Sequence, residues 1–154
     1  MPLIRILLLA LACGLAGGAV AKPLLPPSPD LGEQGLLPVE EAFQLFPARR
    51  KAQALKIEWG VAPGYYLYRG QLAFEVLTPQ GFRLAPPRLP KGEKVQDPEF
   101  GLVEVYRGLI AAEFDLPPGL KGPLKLRVRY QGCADAGICY PPQQRQLNVP
   151  AAQS

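Results

Sequence analysis

The chain contains no histidine, and its single methionine is residue 1. Without imidazole there is no His-dependent hydrolase mechanism. A pair of mature thiols plus carboxylates also falls short of the four Cys/His ligands of structural zinc and lacks the imidazoles of copper sites. Long apolar runs are missing after the first 21 residues, so no later segment is built to cross a bilayer as a helix. Internal repeats are absent. The net charge is +4, yet the longest basic run is only Arg49-Arg50-Lys51, and the other Lys and Arg lie scattered between apolar residues. That is the pattern of a solvated surface, and no nucleic-acid partner is expected.

What the sequence does have is room for one ordinary domain, 154 residues in all, with 16 glycines and 19 prolines. Such a Gly and Pro content suits short strands joined by turns better than a helical bundle. Residues 1–21 read as a cleaved export signal: Arg5 supplies the positive start, "ILLLALACGLAGGAV" the apolar stretch and Ala19-Val20-Ala21 the small-residue cleavage site. The mature protein then begins at Lys22 in the periplasm. Cys13, in "ALACG", offers lipid attachment as a minor alternative, but Ala10 stands where a lipoprotein box carries Leu and the apolar run continues past the cysteine. Residues 22–35, with four prolines and no periodicity, form an extended leader. A domain over 36–150 and a tail over 151–154 complete the chain.

Within that domain the hydrophobic period is two. Leu55, Ile57, Trp59 and Val61 alternate with polar or small residues, as do Leu72, Phe74 and Val76, then Ile110, Ala112, Phe114 and Leu116, and most clearly Leu124, Leu126, Val128 and Tyr130. A last strand, "RQLNV", closes the set. Turn signals at 62–64, 78–81, 90–92, 117–119 and 121–123 separate these runs. Short alternating strands at this spacing predict an all-β fold, an antiparallel immunoglobulin-like sandwich, with a small barrel as the alternative. "LLPVEEAF" at 36–43 fits either a strand or a helical turn.

Two cysteines, Cys133 and Cys139, remain in the mature chain, inside "YQGCADAGICYPP" at 130–142. An oxidising compartment allows them to pair as a structural staple. Closing so small a loop would contribute only about 2.4 kcal/mol in the chain-entropy model, however. The pair also belongs to one segment, far in sequence from Trp59, whereas an immunoglobulin staple joins distant strands against the core Trp. Gly132 and Gly137 open turn conformations to the segment, and Pro141 and Pro142 stiffen its exit. From the residues alone, an inert staple and an exchangeable bond both remain open. Asp135 reads equally as a turn residue or as a carboxylate that tunes the thiols.

The same stretch resembles the active-site loop of the N-terminal periplasmic domain of the thiol:disulfide interchange protein DsbD, with a motif close to Y-Q-G-C-A-D-x-G-x-C-Y-P-P. "LLPVEEAF", "GYYLYR" at 64–69 and "DPEFGLVEVYRG" at 97–108 resemble that family's opening segment, tyrosine-rich strand and cap region, so the likeness spans residues 36–149. The segment between Phe100 and Glu104 is one residue shorter than the family pattern. The resemblance implies an immunoglobulin-like sandwich that passes reducing equivalents between proteins, with Cys139 as the exchanging thiol and Cys133 as the resolving one. It makes Phe100 a cap over the pair and places the strand of Tyr65, Tyr66 and Tyr68 beside it, with Tyr66 and Tyr68 as contact candidates and at least one of the three tyrosines expected in the core. Tyr140 is a contact candidate by its adjacency to Cys139. The implied partners are thioredoxin-like periplasmic proteins of the disulfide-isomerase or cytochrome c maturation type. No prosthetic group is required. The family's membrane-embedded carrier and C-terminal thioredoxin-like domain do not follow within the 154 residues, so a membrane thiol carrier encoded separately is expected, or else the chain is part of a longer protein. An exported immunoglobulin-like binding module with an inert disulfide is the rival reading.

Overall fold

The computed structural model describes residues 35–152. The signal segment with Cys13, the leader up to residue 34 and residues 153–154 lie outside the described residues. In chain order the elements are a helical turn α1 (Val39–Ala42), β1 (Phe43–Leu45), β2 (Arg49–Lys51), β3 (Ala54–Val61), β4 (Tyr65–Tyr68), a 3-10 turn at Arg69–Gln71, β5 (Ala73–Thr78), β6 (Glu93–Asp97), β7 (Gly101–Tyr106), β8 (Gly108–Asp115), β9 (Leu124–Tyr130), β10 (Gly132–Ala134), β11 (Ile138–Cys139) and β12 (Gln143–Val149). The fold is therefore nearly all β, and the strand pairs are antiparallel. The ambiguous opening segment is both things in turn: Pro38 starts one helical turn, its carbonyl taking the N–H groups of Glu41 and Ala42, and Phe43 then enters a strand.

Three sheets form. In the first, β8 lies along one edge of β3, while β1 and β2 follow one another along the other edge. The second is β12-β9-β5, and the third, which carries the cysteines, is β11-β10-β4-β7-β6. The alternating residues build the core as their period requires: Leu55, Ile57, Trp59, Ile110, Ala112, Phe114, Leu124, Leu126, Val128 and Tyr130 are all buried in one cluster. Trp59 is fully buried, with Phe74 and Tyr130 each edge-on at 6.0 Å between ring centres, so the indole pins the core without a disulfide against it. Glu58 departs from the alternation. It stands on the face expected to be wet but is only 4% exposed, because Arg49 and Lys56 cover and neutralise its carboxylate.

The third sheet is made from strands that leave the other two. One residue, Arg107, separates β7 from β8, and one residue, Gln131, separates β9 from β10. Pairing resumes at once on the new neighbours, with the Tyr68 N–H donating to the Gln131 carbonyl and the Asp135 N–H to the Gly64 carbonyl. A small cluster of its own, Tyr68, Val105 and Cys133 with Tyr66, Val95 and Val103 packed around it, fills this sheet.

Candidate redox site

Cys133 and Cys139 face each other across the hairpin β10–β11, joined by a disulfide with the Cα atoms 3.9 Å apart. The segment is thus a pair of short strands and not an open loop. Gly137 supports the tip with φ +81°, a conformation that glycine adopts freely. Gly132 has a different task from the one its sequence suggested. A Cβ there would collide with the Tyr66 carbonyl and stand 2.6 Å from the Phe43 ring, so the residue must be small to let β10 lie against β4 and β1.

Placement in the sheet makes the two sulfurs unequal. Cys133 lies on an inner strand, opposite Tyr66 on one side and Cys139 on the other, and is 0% exposed. Cys139 lies on the outermost strand, which among the described residues pairs only with β10, and is exposed. The Tyr68 hydroxyl sits 3.2 Å from Cys133 Sγ and 3.8 Å from Cys139 Sγ, and donates its proton to Asp97 Oδ2 at 2.6 Å. Its one hydrogen being committed there, its lone pairs are left to accept a proton-bearing sulfur when the pair is reduced. Burial, reinforced by the Asp97 carboxylate, drives the Tyr68 phenol well above its ordinary range, so it stays protonated. Asp97 moves the other way. The Tyr68 hydroxyl, helped by the N–H groups of Phe100 and Glu99, holds its carboxyl below the usual range even though burial pulls upward.

Asp97 is also what ties the cap segment down. Its Oδ1 accepts the Glu99 and Phe100 N–H groups at 2.9 Å each, closing a side-chain turn between β6 and β7, and Gly101 follows at φ +72°. Phe100 is 42% exposed and packs edge-on against Tyr68 at 5.3 Å between ring centres, so it is not a core residue of the following strand. Tyr66 is edge-on to Tyr68 at 5.4 Å, on the side away from the core. Phe100, Tyr66 and Tyr68 are therefore brought together with the cysteines.

Two residues are placed elsewhere. Asp135 does not address the sulfurs: both of its oxygens accept hydrogen bonds from Arg107, at 3.0 and 2.8 Å. Tyr140 turns inward, packing on Phe43 and Tyr65 and donating its hydroxyl proton to the Leu37 carbonyl at 2.5 Å, while the Leu37 N–H donates to the Tyr65 hydroxyl. It anchors the opening segment, and Tyr65 is its partner there. The carboxylate linked to the sulfurs is that of Asp97, which sequence reasoning passed over inside "DPEFG"; an Asp followed by a turn and a glycine is the signal that could have found it.

Residues 33–151 match the family model described as "Thiol:disulfide interchange protein DsbD, N-terminal". The chain belongs to that family. Among its relatives, the "Thiol:disulfide interchange protein DsbD 2" of Pseudomonas aeruginosa is 40% identical over 148 residues, covering 94% of this chain and 24% of that protein. The DsbD of Escherichia coli O157:H7 is 36% identical over 116 residues, covering 75% and 20%. The chain thus spans a quarter or less of these relatives. Two solved structures from Neisseria meningitidis share the fold. One is the DsbD N-terminal domain in the reduced form, with TM-score 0.68, 30% identity and coverage of 77% of this chain and 92% of that one. The other is the complex between the DsbD N-terminal and PilB N-terminal domains, with TM-score 0.64, 31% identity and coverage of 73% and 86%. The architecture is the immunoglobulin-like sandwich of the DsbD N-terminal domain, and the Cys133–Cys139 bond is its redox-capable pair.

Proposed function

We propose that this DsbD N-terminal domain is a periplasmic thiol:disulfide oxidoreductase of the relay type, with Cys139 exchanging and Cys133 resolving. The observation that carries the assignment is the inequality of the sulfurs. Exchange needs a thiolate to approach a sulfur directly along the S–S axis, and only Cys139 offers an open side. A donor thiolate attacks Cys139 Sγ, the bond to Cys133 breaks, and Cys133 leaves with the electron pair into a pocket where the Tyr68 oxygen can receive its S–H. The donor's second thiol then closes the donor's own disulfide and releases Cys139, so two electrons and two protons have moved to the domain. In the forward half the Cys139 thiolate attacks an acceptor disulfide, Cys133 attacks the mixed disulfide at Cys139, and the acceptor departs as a dithiol.

The partners fitting this chemistry are thioredoxin-like proteins, disulfide isomerases or cytochrome c maturation factors among them, supplied by a membrane thiol carrier. The complex of the Neisseria DsbD N-terminal domain with a PilB domain supports a protein partner docking on this fold. Export rests on the signal-like residues 1–21. Phe100 serves as the cover over the reduced pair, held shut by Asp97 and moved aside by a docking partner. The test of the roles is covalent trapping. Cys133→Ala, lacking the internal thiol that releases the mixed disulfide, is expected to accumulate a complex with a thioredoxin-like partner on a non-reducing gel, and Cys139→Ala to accumulate none. The reverse pattern would exchange the two roles.

A further inference from the structure

Arg107 occupies the single-residue gap between β7 and β8, where Gly108 turns the chain at φ +65°. Its guanidinium reaches back across the third sheet. Two N–H groups take both oxygens of Asp135, Nη1 also donates to the Tyr65 carbonyl at 3.2 Å, Nε donates to Glu93 at 3.2 Å, and the plane lies 5.2 Å over the Tyr66 ring. One side chain thereby joins the tip of the cysteine hairpin to β4, to β6 and to the ring that abuts Tyr68. Most exposed ion pairs matter little, but a bidentate Arg–carboxylate pair inside a network is the exception.

The hairpin has particular need of such an anchor. Its tip, from Asp135 to Gly137, is exposed, and β11 is two residues long with β10 as its only neighbour among the described residues. When the disulfide is closed, the two strands are cross-linked at the cysteines. When it opens, the link vanishes, while the grip of Arg107 on Asp135 involves no sulfur and persists. We propose that Arg107 is a positioning residue for the redox pair: acting through Asp135, it keeps Cys133 and Cys139 facing each other in the dithiol and so sets how readily the bond re-forms. A hairpin already ordered has lost the freedom that closure would otherwise remove, so its two sulfurs meet at a higher effective concentration. Linkage makes the effect reciprocal, the closed bond strengthening the Arg107–Asp135 contact by the same factor.

The readout is the equilibrium with glutathione, in which two glutathione thiols are oxidised to glutathione disulfide as the Cys133–Cys139 bond accepts two electrons and two protons. Arg107→Ala is expected to lower the closure constant about five-fold, making the pair easier to reduce. Asp135→Asn is expected to produce a similar shift, and the double variant no more than either alone. Arg127→Ala, which removes a comparable ion pair with Glu75 on the second sheet, is expected to leave the constant unchanged. A merely structural role would destabilise the oxidised and reduced forms equally and leave the constant where it was. An unchanged constant for Arg107→Ala, or additive shifts in the double variant, would overturn the proposal, and Asp135→Asn carries the same test should Arg107→Ala not fold. The inference requires only that the pair opens and closes. A parent protein whose bond glutathione cannot open would defeat the exchange reading as well, whereas a reducible pair indifferent to Arg107 would defeat this proposal alone.

Discussion

Cys139 and Cys133 are chemically the same residue in opposite surroundings, one on an open edge and one sealed beneath Tyr68. With no histidine in the chain, the groups around the sulfurs are a neutral phenol and an ionised carboxylate hydrogen-bonded to it. That bond has a stability signature. Asp97 titrates lower in the folded than in the unfolded protein, so its contribution is fully present above about pH 4, the ordinary carboxylate value, and is lost as the pH falls through the folded value. Tyr68→Phe removes the largest cause of that shift. Near neutral pH, urea unfolding is expected to show the variant less stable by about 1.5–3 kcal/mol, the worth of a hydrogen bond to a charged group. The gap should shrink below about pH 4, and a gap independent of pH would mean that Asp97 does not draw on Tyr68. Phe100→Ala addresses the cover. Because the ring is half exposed and holds one aromatic neighbour, the cost in thermal stability should stay within about 1.5 kcal/mol, while a small non-partner disulfide oxidises the reduced pair faster than in the parent. An unchanged oxidation rate would leave Phe100 as packing only.

At the scale of elements, the cysteine hairpin works because a glycine lets it lie close to β4. Gly132→Ala drives a methyl group into backbone and an aromatic ring and should destabilise by about 1–3 kcal/mol or more, as overpacking does. Gly137→Ala meets open space and pays only for its positive φ, about 1 kcal/mol, so chemical denaturation should rank the first variant well below the second. These elements also mark how far the sequence could be read. The long strands β3, β8 and β9 announced themselves because seven or eight residues give several turns of a two-residue period, and their apolar members are the core. Strands β10 and β11, of three and two residues, are too short to carry any period, so the site read as a loop. The cysteines, Phe100, Tyr66 and Tyr68 could be named from the motif they share with a family. Local pattern marks Asp97 as a turn residue, but neither its bond to Tyr68 nor that of Arg107 to Asp135 could be found there, since the partners lie 29 and 28 residues away and only sheet pairing brings them together. Tyr140 misled for the same reason: adjacency to Cys139 in sequence says nothing of which face of the strand its ring takes.

For the whole molecule, the third sheet is divided between its two faces: Tyr65, Leu67, Tyr106 and Ala134 join the main core, while Tyr68, Val105 and Cys133 form the small cluster that holds the redox pair. The main cluster contains Trp59 and the alternating residues of the long strands and neither cysteine, whereas Cys133 belongs to the small cluster with Tyr68 and Val105. A disulfide that closes a seven-residue loop and lies outside the main core is badly placed as a staple and well placed as a bond to be opened and closed without unfolding anything. Among the described residues no helix is long and apolar enough to cross a membrane. The central claim, that the Cys133–Cys139 bond is exchanged in the folded state, is tested most directly by mixing the oxidised domain with a reduced thioredoxin-like protein under native conditions and following both thiol contents with time. The account predicts rapid, stoichiometric transfer to the domain, and onward reduction of a second protein's disulfide by the dithiol so formed. A bond that stays closed until the domain is denatured would contradict it.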